Sequence, residues 1–528
     1  MTDLVKLVVN NGIEKKEYPV CRGIPLLKAL VKAGVELELP CGGRGTCGGC
    51  RLLLKGELSS PTPEEKAFFS PALLEKGWRL ACRTKLQGDT EVILFSDLDN
   101  GYTSFVSGEK AGAKQVAAAV DMGTTTLAVT LVDPETGRRL ITVGRLNPQT
   151  AKGSDLITRM QLALTVEGKD LLQKMLVSGI NILIKGAAEK TGIVAEQITT
   201  LVVAGNSVIS HLFLGFPVES LSRAPFCPAI KGSYSTTGAE LGLAVHPRAG
   251  VYLAPLIGGF VGGDASAALL FTGLATRGGK NLLVDLGTNG EIILAANGRL
   301  WATSTAAGPA FEGQGIAWGM RAEPGAVTGM ETGAGWRLKT INNVEPRGIS
   351  GSGLVEIVAG LLSTGLLTPE GRLKNPEEPG EELPPETNNR LRDTENGPEV
   401  LLDRRTGISI TQKDIRLLQL AKGAVRAAVD SLLEEAGITP ENLDRVFLAG
   451  AFGSGLNPAA VLKIGLLPPV ALERIEFVGN AALEGAALAL RPEKRKEIER
   501  LAAETCHISL ETKGYYQDKF VTALYFPL

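Results

Sequence analysis

Four cysteines near the start of the chain have a spacing that could bind a metal centre. Cys41, Cys47 and Cys50 follow a C-x5-C-x2-C pattern in a glycine-rich segment, and Cys82 comes later in the chain. Glycines in such a loop let backbone N–H groups turn inward toward sulfides, which stabilises a negatively charged cluster. Three clustered thiolates and one distant thiolate suit a [2Fe–2S] centre, in which each iron takes two thiolates. The spacing therefore predicts a [2Fe–2S] cluster on these four residues.

Two other interpretations of these cysteines remain open at this point, a structural zinc site and unrelated buried thiols. Structural zinc usually takes two C-x2-C pairs or added histidines, whereas this region has one such pair and no histidine nearby. Cys21 lies outside the pattern and is predicted to be a packed thiol. The arginines that flank the cysteines are interpreted as a solvated basic face, as a surface for an acidic partner or as charges that shift the potential of the cluster: Arg44, Arg51, Arg79 and Arg83.

The second part of the chain carries a repeated pattern that suits phosphate chemistry. Asp121-Met-Gly-Thr-Thr follows an apolar segment, and Asp285-Leu-Gly-Thr-Asn follows a similar one. An aspartate at the end of a strand offers a carboxylate to hydrated Mg²⁺, and the adjoining glycine turn points N–H and hydroxyl donors at phosphates. Each copy continues into a second strand, a turn and a basic residue. The repeat therefore predicts two related lobes.

A third glycine-bearing segment, residues 445–455, reads as a strand that enters a turn narrow enough for adenine and ribose to approach the backbone. The helix before it is predicted to start at an N-cap in residues 411–414 and to continue to about Ala436. A Rossmann site would need G-x-G-x-x-G opening a helix after the first strand, and that pattern is missing there. Residues 348–353 precede another apolar helix and form either a phosphate contact or a tight packing turn.

The elements that must position the cysteines are short. Residues 4–9 alternate like a strand, 25–33 are helix-like, and 50–54 and 91–95 read as further strands.

Residues 96–115 are polar with weak periodicity, so they are predicted to be a linker. Residues 377–386 are rich in Pro and Glu and are predicted to be a solvated loop.

The composition limits the class of protein. The chain has 528 residues, of which 44% are hydrophobic and 21% charged, so it can bury the cores of several domains. Its net charge of −2 argues against nucleic acid as the main partner. The N-terminus lacks a long apolar stretch, and the longest uncharged run, residues 251–263, is too short to span a bilayer. We therefore expect a cytoplasmic protein with no membrane partner.

These motifs resemble two known folds. The cysteine pattern is similar to that of β-grasp ferredoxins, and its x5 gap matches the adrenodoxin-like branch. The three later motifs, in their order, resemble the phosphate-1, phosphate-2 and adenosine motifs of the acetate and sugar kinase/Hsc70/actin (ASKHA) superfamily. The expected fold class is therefore a multidomain α+β and α/β chain: a β-grasp [2Fe–2S] ferredoxin domain over 1–95, a linker over 96–115, and a two-lobed actin-like ATPase region over 116–528. The phosphate motifs lie near 121–126 and 285–291, and the adenosine motif near 447–455.

The combination resembles the reductive activators of corrinoid proteins. The segments that carry the resemblance are 40–50, 121–126, 204–208, 285–291, 304–313, 348–353, 411–423 and 448–455. The resemblance implies an ATP-hydrolysing iron–sulfur oxidoreductase that returns a Co(II) corrinoid to Co(I) for methyl transfer. Larger relatives carry an additional small domain where this chain has only 96–115. Relatives with C-terminal [4Fe–4S] clusters match less well, because Cys506 alone cannot ligate one.

The resemblance implies a role for each site residue. Cys41, Cys47, Cys50 and Cys82 would bind the cluster, and Asp121 and Asp285 would hold Mg²⁺ through water. The phosphates of ATP would lie against Gly123, Thr124, Thr125, Gly287, Thr288 and Asn289. Adenosine would border Gly450, Gly453, Ser454 and Gly455. The implied partners are a corrinoid protein, an upstream low-potential electron donor and a second copy of the chain, which would form a homodimer through the ATPase region.

Four further residues have two open interpretations each. Asn206, Asp264 and Glu291 could orient water at the phosphates or could stabilise their loops. Ser304, in a loop of small residues, could approach the corrinoid and affect the axial ligation of cobalt, or its segment could pack beneath the nucleotide. The histidines His211, His246 and His507 have no metal-ligand spacing and are expected to be ordinary.

Two rival functions are compatible with the motifs. One is an ATP-driven electron donor to another low-potential metalloenzyme, such as a radical dehydratase. Known donors of that kind hold a [4Fe–4S] cluster between subunits, and this chain lacks a matching cysteine pair. The other is a redox-sensing, nucleotide-binding regulatory protein that does not drive electrons.

Overall fold

The structure is a computed structural model, and it describes residues 3–10, 15–35, 50–69, 74–75, 77–93, 103–105, 115–332, 336–374, 389–395, 397–450 and 456–527. These residues divide into two units. The first consists of Met1–Tyr102 and Pro148–Ser154, and the second of Thr103–Asn147 and Asp155–Leu528.

The first unit is a mixed sheet with a helix packed on one face. Val5, Leu7 and Val9 alternate with exposed residues in β1, so one face of the sheet is apolar. The sheet order is β2-β1-β5-β3-β4, in which β1 and β5 are parallel and the other neighbours antiparallel. The strands are β1 (Leu4–Asn10), β2 (Lys15–Cys21), β3 (Arg51–Leu58), β4 (Trp78–Leu80) and β5 (Leu86–Ile93). The helices are α1 (Leu26–Lys32) and α2 (Pro63–Phe68). This architecture confirms the predicted β-grasp fold.

Lobe I (residues 103–147 and 155–277) is built on a seven-stranded sheet of order β11-β12-β10-β7-β8-β9-β6. Its strands are β6 (Thr103–Phe105), β7 (Val116–Met122), β8 (Thr126–Val132), β9 (Arg139–Leu146), β10 (Ile198–Gly205), β11 (Gly232–Thr237) and β12 (Gly250–Leu256). Its helices are α3 (Leu156–Ala163), α4 (Val166–Thr191), α5 (Ser207–Leu214), α6 (Gly238–Leu241) and α7 (Gly263–Thr272). Strand β6 pairs with β9, so part of the expected linker belongs to this sheet.

Lobe II (residues 280–527) is built on a six-stranded sheet of order β23-β22-β13-β14-β15-β24. Its strands are β13 (Asn281–Leu286), β14 (Gly290–Ala296), β15 (Arg299–Thr305), β22 (Arg445–Ala449), β23 (Ile475–Gly479) and β24 (Thr505–His507). Two small sheets are inserted between these strands, with β16 (Ala326–Glu331), β17 (Arg337–Thr340), β18 (Gly348–Ile349), β19 (Leu391–Thr394), β20 (Gly397–Leu401) and β21 (Ser409–Thr411). The helices are α8 (Gly351–Ser363), α9 (Gln412–Glu435), α10 (Pro458–Lys463), α11 (Ala481–Leu488), α12 (Pro492–Glu504) and α13 (Gly514–Ala523).

The two lobes repeat one arrangement of strands. In lobe I an antiparallel β7-β8-β9 meander is extended on the β7 side by β10 and β12, each parallel to its neighbour. In lobe II the β13-β14-β15 meander is extended in the same way by β22 and β23. The repeated aspartate motifs stand at the same place in both, at the end of the first meander strand. This duplication is the actin-like arrangement that the sequence predicted.

A shared apolar core joins the lobes. It contains Ala119 and Val202 from lobe I, Leu283 and Phe447 from lobe II, and helices between the two sheets. Helices α7 and α11 cross so closely that a Cβ on Gly485 would lie 1.8 Å from the Ala267 carbonyl oxygen. Only a glycine allows this separation, so the crossing fixes the helices on which the cleft between the lobes is built.

Candidate functional site

Two of the four predicted cluster ligands lie side by side in the first unit. The sulfurs of Cys50 and Cys82 are 3.2 Å apart. Cys50 precedes β3 and Cys82 follows β4, and these strands pair with Arg51 opposite Leu80, so their ends converge. Neither sulfur is in a disulfide, and the convergence fits two thiolate ligands of one metal centre. Cys41 and Cys47 lie outside the described residues, so their part in the ligand set stays a prediction.

The prediction that Cys21 is a packed thiol is wrong. Cys21 is exposed at the end of β2, which is the edge strand of its sheet. Its neighbour Val20 is buried. Because successive side chains of a strand point to opposite faces, Cys21 is directed toward solvent.

A buried ion pair positions the segment that carries Cys82. The Glu65 carboxylate accepts hydrogen bonds from Arg79 Nε and Nη2, both at 2.9 Å, and from Leu80 N at 3.1 Å and Thr84 Oγ1 at 3.0 Å. Burial by itself would raise the pKa of Glu65, but the hydrogen bonds from Arg79 and from the backbones of Thr62 and Leu80 hold the pKa below its usual value. The interpretation of Arg79 as part of a solvated face is therefore wrong, since it is 4% exposed.

The loop predicted to contact phosphate in lobe I, the first phosphate loop, connects β7 to β8. Asp121 stands near the end of β7, and Gly123, Thr124 and Thr125 form the turn. The buried Asn147 fixes this loop: its Nδ2 donates to the Gly123 carbonyl at 2.9 Å and its backbone N–H donates to the Thr125 carbonyl at 2.8 Å. These two hydrogen bonds fix the conformation of the loop, and the sequence did not indicate a role for Asn147.

The loop predicted to contact phosphate in lobe II, the second phosphate loop, connects β13 to β14. Gly287 N donates to the Asn289 carbonyl at 3.0 Å, and Gly308 N donates to the Thr288 carbonyl at 2.9 Å. Gly450, the first glycine of the adenosine motif, has φ +106°, and a Cβ there would lie 3.1 Å from Asp285 Oδ1. The adenosine motif therefore begins against the second loop. Gly453, Ser454 and Gly455 lie outside the described residues.

Four carboxylates gather between the loops. Burial raises the pKa of Asp121 to about 6, that of Asp264 to about 7 and that of Asp285 to about 8, and it raises the pKa of Glu291 well above its usual value. Repulsion between these groups adds to the effect of burial at Asp264, Asp285 and Glu291. The side chains remain partly accessible from the cleft, although protein atoms surround them. Such a concentration of negative charge suits a bound cation.

The carboxylates in this cleft suit a metal ion that keeps most of its water ligands better than one coordinated only by protein side chains. Within the described parts of the chain, no three His, Cys, Asp or Glu side chains are arranged to hold a metal ion together. Mg²⁺ usually keeps several waters and binds proteins through one or two carboxylates and substrate phosphates. Asp121 and Asp285, one from each lobe, fit that mode of binding.

The two phosphate loops meet at a carboxylate that the sequence analysis did not assign. Thr125 Oγ1 and Thr288 Oγ1 are 2.8 Å apart. Thr125 donates to Glu312 Oε2 at 2.8 Å, and Thr288 lies 3.0 Å from both Glu312 oxygens. Glu312 ends a short turn after β15, Pro309–Glu312, within a segment recognised only as part of the family resemblance. The contact joins residues 187 positions apart, so no local pattern could have indicated it.

Two asparagines at helix N-termini support the loops. Asn206 caps α5 by accepting from Ile209 N at 2.9 Å, and it donates to Thr124 Oγ1 at 3.2 Å, which is a loop-stabilising contact. Asn480 caps α11 and donates to Asp121 Oδ2 at 2.7 Å. Asn480 was missed, although a signal exists: both asparagines follow a glycine at a strand end and start a helix.

Ser304 lies directly opposite Glu291 in the β14–β15 pairing. Paired residues of antiparallel strands share a face, so Ser304 is on the face of the sheet that carries Glu291. This placement favours the interpretation that the segment packs beneath the nucleotide. Contact of Ser304 with a corrinoid stays a prediction.

The glycine-rich turn at 348–353 is tightly packed, and its contact with phosphate stays a prediction. A Cβ on Gly353 would lie 2.0 Å from the Val327 carbonyl oxygen, and Ser350 caps α8 by accepting from Gly353 N at 3.1 Å. The turn therefore presses the start of α8 against β16. The predicted helix start at Thr411 is confirmed, with a capping box to Asp414.

One helix within the described ranges, α4, is long and apolar enough to cross a membrane by length and composition. Half of its most apolar window is buried, and Leu172, Leu176 and Ile180 lie in the core of lobe I. Core packing therefore explains its apolar character.

Family models match three consecutive parts of the chain. A 2Fe-2S iron-sulfur cluster binding domain matches residues 10–87. A RACo middle region matches residues 116–277. The C-terminal domain of RACo, the ASKHA domain, matches residues 280–528. The first match lies within the β-grasp unit, and the other two follow lobes I and II.

Individual proteins resemble the chain over most of its length. The corrinoid activation enzyme RamQ of Eubacterium limosum is 34% identical over 417 residues, which are 76% of this chain and 69% of the relative. The [Co(II) methylated amine-specific corrinoid protein] reductase of Methanosarcina barkeri is 26% identical over 446 residues, which are 77% of this chain and 76% of the relative. A solved structure, titled reductive activator for corrinoid,iron-sulfur protein, superposes with a TM-score of 0.72 at 27% identity and covers 99% of this chain and 98% of its own.

Fold and matches together define a class: an iron–sulfur ferredoxin domain joined to an actin-like ASKHA domain. Within that class, the chain belongs to the family of reductive activators of corrinoid proteins.

Proposed function

We propose that this protein is an ATP-dependent reductive activator that transfers one electron to the Co(II) form of a corrinoid protein, which regenerates Co(I) for methyl transfer. The observation that carries the proposal is the meeting of two phosphate loops, Thr125 from lobe I and Thr288 from lobe II, over an acidic cleft. Its membership of the activator family supports the corrinoid protein as the partner. In this step cobalt gains one electron and the protein loses one.

The N-terminal domain, residues 1–95, is called the redox head. It would bind a [2Fe–2S] cluster through Cys41, Cys47, Cys50 and Cys82, and the bound cluster would supply the transferred electron. The paired sulfurs of Cys50 and Cys82 fit such a centre. Glu65 and Arg79 hold the backbone beside Cys82. We assign the redox domain to residues 1–95 and the ATPase region to 116–528.

The ATPase region, residues 116–528, would bind ATP together with Mg²⁺, and the bound Mg²⁺ would neutralise phosphate charge. Asp121 and Asp285 would hold its waters. The phosphates would meet Gly123, Thr124, Thr125, Gly287, Thr288 and Asn289, and adenosine would border Gly450, Gly453, Ser454 and Gly455. Because one phosphate loop belongs to each lobe, ATP would contact both lobes, and its hydrolysis would release one from the other.

ATP is needed because the electron transfer is unfavourable. If the Co(II) acceptor lies about 200 mV below the donor, the transfer of one electron costs about 4.6 kcal/mol. That cost corresponds to roughly three powers of ten in the equilibrium constant, at 1.4 kcal/mol for each. Closure of the lobes on ATP would shift the equilibrium by changing the ligation or the potential of cobalt. We further propose a cytoplasmic location, a low-potential electron donor upstream and a homodimer formed through the ATPase region.

The test is a spectrum recorded without oxygen. The protein, kept reduced by a chemical reductant, is mixed with Co(II) corrinoid proteins of methyltransferase systems, either with Mg²⁺ and ATP or with Mg²⁺ and a non-hydrolysable ATP analogue. We expect the Co(I) absorption band to appear only with ATP. Equal formation of Co(I) without ATP would overturn the energy-coupled function and favour a simple electron donor.

A further inference from the structure

The carboxyl group of Glu312 stands at the junction of the lobes. Both threonine hydroxyls assigned to phosphate, Thr125 and Thr288, lie within 2.8–3.0 Å of its oxygens. Thr125 comes from lobe I, whereas Glu312 and Thr288 come from lobe II. Any terminal phosphate that both hydroxyls hold would therefore lie within about one water diameter of this carboxyl group.

Glu312 has a different environment from the four carboxylates of the cleft. Burial raises its pKa, and hydrogen bonds from Thr125 and Thr288 and the charge of Arg159 oppose that rise. Arg159 comes from α3 of lobe I and has no exposed surface. The other four carboxylates suit a cation, whereas Glu312 accepts hydrogen bonds from two threonine hydroxyls and feels the positive charge of a buried arginine.

A carboxylate cannot bind a phosphate directly, because the two negative charges repel each other. A water molecule can lie between them, because it donates a hydrogen bond to the carboxylate. In a site that hydrolyses ATP, this is the water that attacks the phosphate. A general base must lie about 2.6–3.2 Å from the proton donor that it serves. A water bound to Glu312 beside the two threonines would meet this condition.

We propose that Glu312 is the general base of ATP hydrolysis, held in place by its hydrogen bonds with Thr125 and Thr288. The attacking water forms a bond from its oxygen to the terminal phosphorus while the bond from that phosphorus to the bridging oxygen breaks, and ADP leaves. The proton of the water passes to a carboxylate oxygen of Glu312 and then to solvent. This inference rests on the proposed ATPase function and adds the residue that activates water.

The test replaces the base and keeps its shape. Glu312→Gln retains an oxygen that can accept from the threonines but cannot take up a proton. Glu331→Gln is the matched control, because Glu331 is exposed on β16 and pairs only with Lys339 among the ion pairs of the described chain. Affinity for ATP is measured with a fluorescent ATP analogue, hydrolysis by phosphate release, and folding by thermal unfolding.

We expect Glu312→Gln to lower kcat by a factor of about 100 or more and to keep ATP affinity within about threefold of the unaltered protein. Glu312→Asp, which retains a carboxylate, should recover part of the rate, and Glu331→Gln should be unchanged. A kcat within threefold of normal in Glu312→Gln would overturn the inference, and so would a parallel loss of ATP binding and hydrolysis in both Glu312 variants. If the unaltered protein binds ATP but does not hydrolyse it, the proposed ATPase function fails first and the inference fails with it.

Discussion

The hydroxyl oxygens of Thr125 and Thr288 lie 2.8 Å apart, although the residues are 163 positions apart in the chain and belong to different lobes. We propose that each hydroxyl donates a hydrogen bond to a phosphate of ATP. The distance therefore measures the closure of the cleft at the point where the two loops meet. A phosphate bound there would replace the direct contact between the hydroxyls with contacts to its own oxygens.

Removal of either hydroxyl should weaken ATP binding. Thr125→Val and Thr288→Val keep the shape of the side chain and lose one hydrogen bond to a charged phosphate, which contributes roughly 1.5–3 kcal/mol. We expect an affinity for ATP lower by about 10- to 100-fold in each variant, measured by calorimetry. Thr130→Val is the control, because it breaks a similar threonine pair with Thr142 inside the lobe I sheet. An equal loss of affinity in the control would remove the case for a phosphate contact.

Asn480 should orient Asp121 beyond its role as a helix cap. Asn480→Asp keeps an acceptor for the Leu483 backbone and loses the donor to Asp121. The lost donor and the repulsion between the two carboxylates would displace Asp121, which we propose holds the waters of Mg²⁺, so we expect ATP hydrolysis to need several-fold more Mg²⁺. Asn457→Asp is the matched control, since Asn457 caps α10 by a contact with Ala459 N. If both variants show the same Mg²⁺ dependence, Asn480 acts only as a cap.

The Glu65–Arg79 pair should be required for the redox head to hold its cluster. Glu65→Gln leaves a buried arginine without a charged partner, and breaking a buried pair in this way costs about 3–5 kcal/mol. We expect less iron per chain after purification and a weaker visible circular dichroism signal. Glu64→Gln is the control, because Glu64 is only half-buried and pairs with the half-buried Arg83. Normal iron content in Glu65→Gln would contradict the positioning role.

His211 should make lobe I sensitive to acid. Its Nε2 accepts from Ala229 N at 2.9 Å and its Nδ1 lies 2.6 Å from the Ser207 carbonyl, so the neutral ring satisfies both contacts with the proton on Nδ1. Burial lowers the pKa of His211 below 6.5. The unfolded chain therefore binds more protons than the folded one just below that pH.

The stability contributed by neutral His211 is present above pH 6.5 and is lost as the pH falls toward the pKa of the folded protein. We expect the unfolding temperature to fall between pH 7 and pH 5, and His211→Gln to reduce this slope. His246→Gln serves as the comparison. A slope unchanged in His211→Gln, measured by calorimetry, would exclude this origin of the acid sensitivity.

Local patterns predicted those parts of the fold whose causes are local. Asp121 and Asp285 each end an apolar strand before a glycine turn, so their motifs indicated the loops and the repeat. The capping residues of α9 predicted that this helix starts at Thr411. The approach of Cys82 to Cys50 followed from the ligand pattern of a known cofactor.

Long-range contacts were not predictable in the same way. Glu312 meets Thr125 across 187 positions and Asn480 meets Asp121 across 359, and only the packing of the lobes brings these pairs together. The burial of Arg79 and the exposure of Cys21 depend on which face of the sheet is covered. Composition near the cysteines did not reveal that face.

The most direct test measures the transfer of one electron from the cluster to cobalt. The protein is reduced, freed of excess reductant and mixed without oxygen with its Co(II) corrinoid partner, while the absorption of the oxidised cluster and of Co(I) is recorded together. The same mixture is measured with Mg²⁺ and ATP, with Mg²⁺ alone, and with ATP and the variant Asp285→Asn. The account predicts that both signals rise in equal amounts, only with ATP and only when Asp285 is present. Co(I) that forms equally without ATP, or without oxidation of the cluster, would contradict it.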